Sequence, residues 1–185
     1  MIAGQFQKKI DEYAYSHAKA LFNNYQFREI GYFDINPTAS RKLAKEFPGI
    51  NFDSLEHMIE AMRPDLVSIC SPDECHYQQI TELLENKLCP KVIFVEKPVC
   101  QTEAELSEII KRLKSKNVVK LFVNHSRRFD ETHLKIAKMI KSGEFGALNF
   151  CHVNYYGGWK HNGIHVMDYL DACFDEDIIF NNVSL

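Results

Sequence analysis

Short apolar runs punctuate the chain, and between them apolar residues recur at helical spacing. The runs are "FREIGYFD" (Phe27 to Asp34, with a strand core at Glu29–Phe33), "LVSIC" (Leu66 to Cys70), "VIFV" (Val92 to Val95) and "VVKLFV" (Val118 to Val123). Val92 to Val95 lack polar alternation, which predicts a strand covered on both faces of a parallel sheet. Ala39, Leu43, Ala44 and Phe47 share one helical face behind Pro37; Tyr77, Ile80, Leu83 and Leu84 share another. Leu106, Ile109, Ile110 and Leu113 give a third, opened by Thr102 and Glu105 in capping-box positions. A short strand near Ile50–Phe52 completes the alternation. A βαβα order implies a doubly wound parallel sheet with right-handed crossovers.

Near residue 125 the rhythm changes. One helix is predicted at about His133 to Ser142, then a Gly-containing turn and a strand-like run from Ala147 to Tyr156. A last helix follows at roughly Gly163 to Phe174, and the domain junction falls near Asn124–Arg128. Two domains are therefore expected, 1–124 and 125–185.

Composition narrows the function classes. The 185 residues are 45% hydrophobic and 25% charged, with a net charge of −3, which gives no electrostatic case for nucleic acid or an anionic membrane. No apolar run approaches the ~20 residues of a membrane span. The opening "MIAGQFQKKIDEY" carries Lys8 and no signal-peptide core, so a cytoplasmic location is expected. The six cysteines form no CxxC pair; Cys70, Cys100 and Cys151, in or beside apolar stretches, read as small core residues, and neither a disulfide framework nor a thiolate metal site is expected.

Four stretches carry candidate chemistry. In "VIFVEKPV", Pro98 stops the strand, so Glu96 and Lys97 lie at its carboxyl end. That is a surface turn in most chains, and in a parallel sheet it is where ligands sit. In "YFDINP", Asp34 ends a strand, where an acidic residue in dinucleotide folds accepts hydrogen bonds from ribose hydroxyls; an ordinary turn is the alternative. Its usual companion, G-x-G-x-x-G, is absent. Ala3 falls where the last small residue of that loop would lie, so the first strand and leading glycines are expected upstream of Met1. "SICSPDECH" ends a strand and opens a helix, fitting either a cofactor phosphate or ribose, or plain capping by Ser71 or Asp73. "HNGIHVMD" puts His161, His165 and Asp168 at i, i+4 and i+7 of one helical face. An acid/base histidine is the preferred reading, and histidines at a helix start with Asp168 buried against a partner are the structural alternative; zinc is disfavoured because Asp168 lies two turns away and no HExxH is present.

Taken together, "VEKPV", "YFDIN", "SPDECH", "NHSRRFD" and "GGWKHNGIHVMD" resemble the Gfo/Idh/MocA oxidoreductases in order and spacing, over essentially the whole chain. The resemblance implies a Rossmann-type NAD-binding domain at 1–124 that lacks its first strand and glycine loop. It also implies, at 125–185, the incomplete start of an α+β substrate and dimerisation domain, so the chain is expected to be truncated at both ends. By the same resemblance the cofactor is NAD, with NADP possible, and the substrate is a sugar, polyol or sugar nucleotide. The full-length form is expected to be a homo-oligomer without nucleic-acid or membrane partners. Lys97 and His165 take the catalytic positions, and His161 stands where many members carry Asp. Ala3, Asp34, Ser71, Pro72, His76, Glu96, Lys97 and Asn124 are the implied cofactor residues. Lys97, Arg128, Trp159, Asn162 and His165 are the implied substrate residues, with no metal. The competing readings are a catalytically inactive nucleotide-binding remnant or sensor and, more weakly, a hydrolase using His161 and His165 on a metal.

Overall fold

A computed structural model describes residues 16–174. The chain divides between Val123 and Asn124 into two compact units.

In the first unit, strands β3 (Leu66–Ile69), β4 (Val92–Val95) and β5 (Lys120–Val123) form a parallel sheet in that order, with Ile69 opposite Val95 and Val95 opposite Val123. A second parallel ladder pairs β1 (Gly31–Tyr32) with β2 (Ile50–Asn51). Helices α1 (His17–Asn23), α2 (Pro37–Glu46), α3 (Leu55–Met62), α4 (Asp73–Glu85) and α5 (Glu103–Ser115) alternate with these strands. This is the parallel α/β arrangement that the hydrophobic pattern predicts.

The helix boundaries follow from local chemistry. Asn36 accepts a hydrogen bond from the Thr38 N–H at 3.1 Å, and Pro37 occupies the first turn of α2, where its missing donor costs nothing. Ser54 caps α3, which ends on Arg63 in the left-handed region at φ 46°. Thr102 and Glu105 form the expected capping box, with bonds of 3.2 and 3.1 Å.

Several predicted bounds are corrected. The strand expected at Glu29–Phe33 is reduced to Gly31–Tyr32, which among the described residues has a partner strand on one side only. The strand expected from Val118 begins at Lys120, because the Val119 N–H still bonds the Lys116 carbonyl at the end of α5. Full burial of β4 on both faces is also corrected. Ile93 and Val95 are wholly buried with Val67, Ile69, Ile80, Leu83 and Ile109, whereas Val92 and Phe94 are half-buried. The Phe94 face meets the ring of His17, 5.1 Å away, so one short helix covers it incompletely. Gly31 packs closely: a Cβ there would stand 2.4 Å from the Met62 Sδ and 3.1 Å from the Phe52 ring.

In the second unit, a 3-10 turn (Ser126–Phe129) leads into α6 (Glu131–Lys141), which Asp130 caps by accepting from the His133 N–H at 2.9 Å. A π turn (Trp159–Gly163) then runs into α7 (Ile164–Cys173), which packs on α6. The strand expected at Ala147–Tyr156 does not form, and Leu148, Phe150 and Tyr156 in it are exposed; so is Cys151, which with the half-buried Cys70 and Cys100 corrects the expectation of three core cysteines. Extended backbone becomes a strand only by pairing, and no described residue pairs with this segment. No helix among the described residues is long and apolar enough to cross a membrane.

Ile93 sits wholly buried in the central strand of β3-β4-β5. Ile93→Ala should cost about 2–5 kcal/mol, read as a lower urea midpoint at unchanged slope. A midpoint within the error of wild type would show that this core does not hold the first unit together.

Candidate functional site

The register of the sheet brings two turns side by side. Ile69 lies opposite Val95, so the chain leaving β3 through Cys70, Ser71 and Pro72 emerges next to the chain leaving β4 through Glu96, Lys97 and Pro98. The Lys97–Pro98 peptide is cis. His76, in the first turn of α4 and 1% exposed, bridges the two: its Nδ1 lies 2.7 Å from the Pro98 carbonyl and its Nε2 2.8 Å from the Ser71 carbonyl. His76, expected at the cofactor, is thus buried behind the turns and positions them. Ser71 donates its hydroxyl to Gln79 Oε1 at 2.6 Å, and Asp73 accepts from Gln101 at 3.1 Å. The N-cap of α4 is Pro72, which corrects the expectation of Ser71 or Asp73 at that position, and Asp73 instead falls in the first turn.

Glu96 turns away from solvent toward α1. Its Oε1 accepts from His17 Nε2 at 2.7 Å, while His17 Nδ1 lies 2.5 Å from Ser68 Oγ. His17 escaped sequence reading, because a lone histidine beside a serine carries no motif and its partners lie 51 and 79 residues away. Burial opposes charge on this ring, but hydrogen bonds to Cys70 and Glu96 outweigh it, and the pKa is pushed up from 6.5 to about 10. A cavity of about 380 Å³ opens here, lined by His17, Asp34, Cys70, Ser71, Pro72 and Glu96 among others. Asp34 stands at the end of β1, its Oδ1 accepting the Asn36 N–H at 2.8 Å in a tight turn. Lys97 is half-buried just beyond Glu96, and Asn124 is half-buried just past β5. Ala3 lies outside the described residues.

The second unit gathers a different set. His165, on α7, meets the ring of His125 edge to face, centroids 6.2 Å apart. Arg128, expected at the substrate, donates from Nε to Asp168 Oδ1 at 2.7 Å and from Nη2 to Asp171 Oδ2 at 2.6 Å. It therefore clamps the 3-10 turn to α7. The other Asp168 oxygen is buried without a hydrogen bond, as is His125 Nδ1, 3.8 Å away. His161 is exposed on the π turn. The wider π turn breaks the α-helical period, so the single face expected for His161, His165 and Asp168 is corrected to His165 and Asp168 alone. Asn162 donates to the Tyr156 carbonyl at 2.5 Å, and Trp159, half exposed, opens the π turn beside Tyr155. Among the described residues no group of three or more His, Cys, Asp or Glu is placed to hold a metal ion.

Residues 9–125 match the family described as "Oxidoreductase family, NAD-binding Rossmann fold". The chain is a member of the Gfo/Idh/MocA oxidoreductases. It is 30% identical over 132 residues to the inositol 2-dehydrogenase of Rhizobium meliloti (strain 1021), covering 71% of this chain and 38% of that protein. It is 25% identical over 126 residues to the 2,7-anhydro-N-acetylneuraminate hydratase of Escherichia coli (strain K12), covering 68% of this chain and 32% of the relative. This family member therefore spans roughly a third of the length of both curated relatives. The scyllo-inositol dehydrogenase of Lactobacillus casei, solved with NAD(H) and scyllo-inositol bound, shares the fold with a TM-score of 0.74 at 19% identity. That match covers 86% of this chain and 52% of the solved one.

The His17–Glu96 pair makes stability depend on pH. The folded state binds the His17 proton more tightly than the unfolded chain, so the contribution is fully present below pH 6.5 and is lost as the pH rises through about 10. Between pH 7 and 10 wild type should lose more thermal stability than His17→Gln. Parallel melting curves across that range would contradict the assignment.

Proposed function

We propose that this chain carries the cofactor and catalytic residues of an NAD-dependent oxidoreductase acting on a secondary alcohol of a polyol or sugar. The observation that carries this reading is the cavity running between β1 and β3, whose lining at the carboxyl ends of the strands is Asp34, the Ser71–Pro72 turn and Glu96. In a doubly wound sheet those ends are where dinucleotides bind. The donor set fits the group: a carboxylate at the end of β1 accepts from ribose hydroxyls and repels a 2′-phosphate, favouring NAD over NADP. The kinship with an inositol dehydrogenase supports a polyhydroxylated substrate.

The nicotinamide supplies the hydride chemistry, and the protein must orient the alcohol and manage its proton. Lys97 is the residue we assign to hydrogen-bond the reacting oxygen, because an ammonium there stabilises negative charge as it develops. His165 is assigned as the base that takes the hydroxyl proton, an imidazole being suited to transfer near neutral pH. The edge-to-face contact with His125 supports a fixed ring orientation for His165. His161, exposed on the π turn, is left out of this role. Arg128 acts through its two carboxylates on α7, which leaves substrate contact on the second unit to Trp159 and Asn162.

Two measurements test the reading. Calorimetric titration should show tighter binding of NAD than NADP, with the preference reduced in Asp34→Ala; tighter binding of NADP to wild type would refute the cofactor choice. In hydride-transfer assays across a panel of inositols and sugars, Lys97→Met and His165→Ala should each lower turnover by about 10²–10⁴ while cofactor affinity stays within a few-fold. Near-normal turnover in both variants would remove these residues from the chemistry.

A further inference from the structure

Histidines from two helices bracket Lys97. On its amino side, Glu96 continues the ladder of β4, its N–H bonding the Ile69 carbonyl at 3.0 Å, and its Oε1 accepts from His17 Nε2 at 2.7 Å. On its carboxyl side, the Pro98 carbonyl lies 2.7 Å from Nδ1 of His76. We propose that His17 is a positioning residue for Lys97, acting through Glu96 to hold the backbone from which the lysine projects. The proposal rests on the assignment of Lys97 to the reacting oxygen.

A clamp needs an anchor that does not move with what it holds, and α1 has one. Ala18, next to His17, is buried with Tyr32 of β1 and Leu43 of α2, in a core cluster separate from the one around β4. Phe22, further along α1, sets its ring 5.9 Å from that of Phe47. His17 itself rests on β4, its ring 5.1 Å from Phe94. The other tether comes from the opposite face of the sheet, because Ile80 and Leu83 of α4 are buried with Ile93 and Val95. Lys97 therefore leaves β4 between two tethers, one from each face.

The hold on Glu96 is of the strong kind. Burial disfavours charge on the His17 ring, yet its hydrogen bonds to Cys70 and Glu96 push its pKa up to about 10. At neutral pH the ring is cationic and both nitrogens donate, Nε2 to the Glu96 carboxylate and Nδ1 to Ser68 Oγ at 2.5 Å. A lysine ammonium rides on a flexible four-carbon stem, so the backbone beneath it sets which positions it can reach. Misplacing a catalytic group by about 1 Å can cost on the order of 10²-fold in rate. The loss falls on turnover rather than on binding.

Two amide substitutions separate the two nitrogens of His17. Glutamine reaches about as far as Nε2 and can still donate to Glu96; asparagine reaches about as far as Nδ1 and can bond only Ser68. Both remove the ring contact with Phe94, so a role confined to packing treats them alike. Amide hydrogen exchange, followed by NMR on the whole chain, reads the clamp without any assay of activity. The Glu96 amide should exchange about tenfold faster in His17→Asn than in His17→Gln. The Val92 amide, bonded to the Asp65 carbonyl at 3.0 Å in the same strand, should match in the two variants. In hydride-transfer assays His17→Asn should lower kcat about 10- to 100-fold relative to His17→Gln, with KM within a few-fold. Equal exchange at Glu96, a difference shared equally by Val92, or equal kcat overturns the proposal. Should His17→Asn fail to fold by circular dichroism, Glu96→Ala is compared by exchange at the Lys97 amide, with the same expected ratio and the same refuting outcomes. Near-normal turnover in Lys97→Met refutes the reading of Lys97 instead, and the exchange ratio then decides alone whether His17 holds the turn.

Discussion

The carboxyl edge of the first unit depends on one buried imidazole. Parallel pairing in register delivers the ends of β3 and β4 to the same level, but pairing stops at Ile69 and Val95 and leaves two irregular turns beyond. Backbone carbonyls in such turns have no ladder partner and need another. The His76 ring lies between the two, its nitrogens 2.8 and 2.7 Å from the Ser71 and Pro98 carbonyls, and donates to one of them according to its tautomer. Ser71, Pro72, Glu96 and Lys97 are therefore held relative to one another by a residue that need not touch a ligand. The capping box that starts α5 anchors the far side, through the Thr102–Glu105 bonds.

Charge pairing works differently in the two units. Around His17 the ring is largely buried, and its hydrogen bonds, that to Glu96 among them, outweigh the cost of burying its charge. Around Arg128 the guanidinium is 40% exposed and spreads over two carboxylates of one helix. Solvent weakens the outer contact to Asp171, and the inner one to Asp168, only 11% exposed, carries more of the geometry. Asp168 keeps one oxygen toward His125, and His125 in turn meets His165, so the clamp sets the frame in which the α7 histidine sits.

How far the sequence could be read depended on how local the physics was. The α5 start was legible because Thr102 and Glu105 meet within one turn, and β4 was legible because "VIFV" runs directly into a proline. The parallel α/β class and the family followed from the same short-range patterns. Ala147–Tyr156 was misjudged because strand propensity describes a side chain's fit to a sheet, and pairing is decided by residues elsewhere. The π turn at Trp159–Gly163 was invisible, since nothing in "WKHNG" announces a wider helical turn. His17 and His76 illustrate the remaining gap: one was missed and the other was placed at the cofactor, because the bonds that define both join residues that are distant in sequence or reach carbonyls that no motif marks.

Gly31 shows a further consequence of close packing. Strand propensity would favour a branched residue at that position, yet the space above its Cα belongs to the Met62 sulfur, with Met58 and Phe52 close behind at 3.2 and 3.1 Å. A methionine is unbranched and adaptable, so it is the partner able to retreat. Positions 31 and 62 thus share one volume between a strand and a helix. Alanine at 31 would require the Met62 side chain to swing aside and Phe52 and Met58 to yield a few tenths of an ångström, so the choice of residue at 31 is coupled to three side chains across the strand–helix contact.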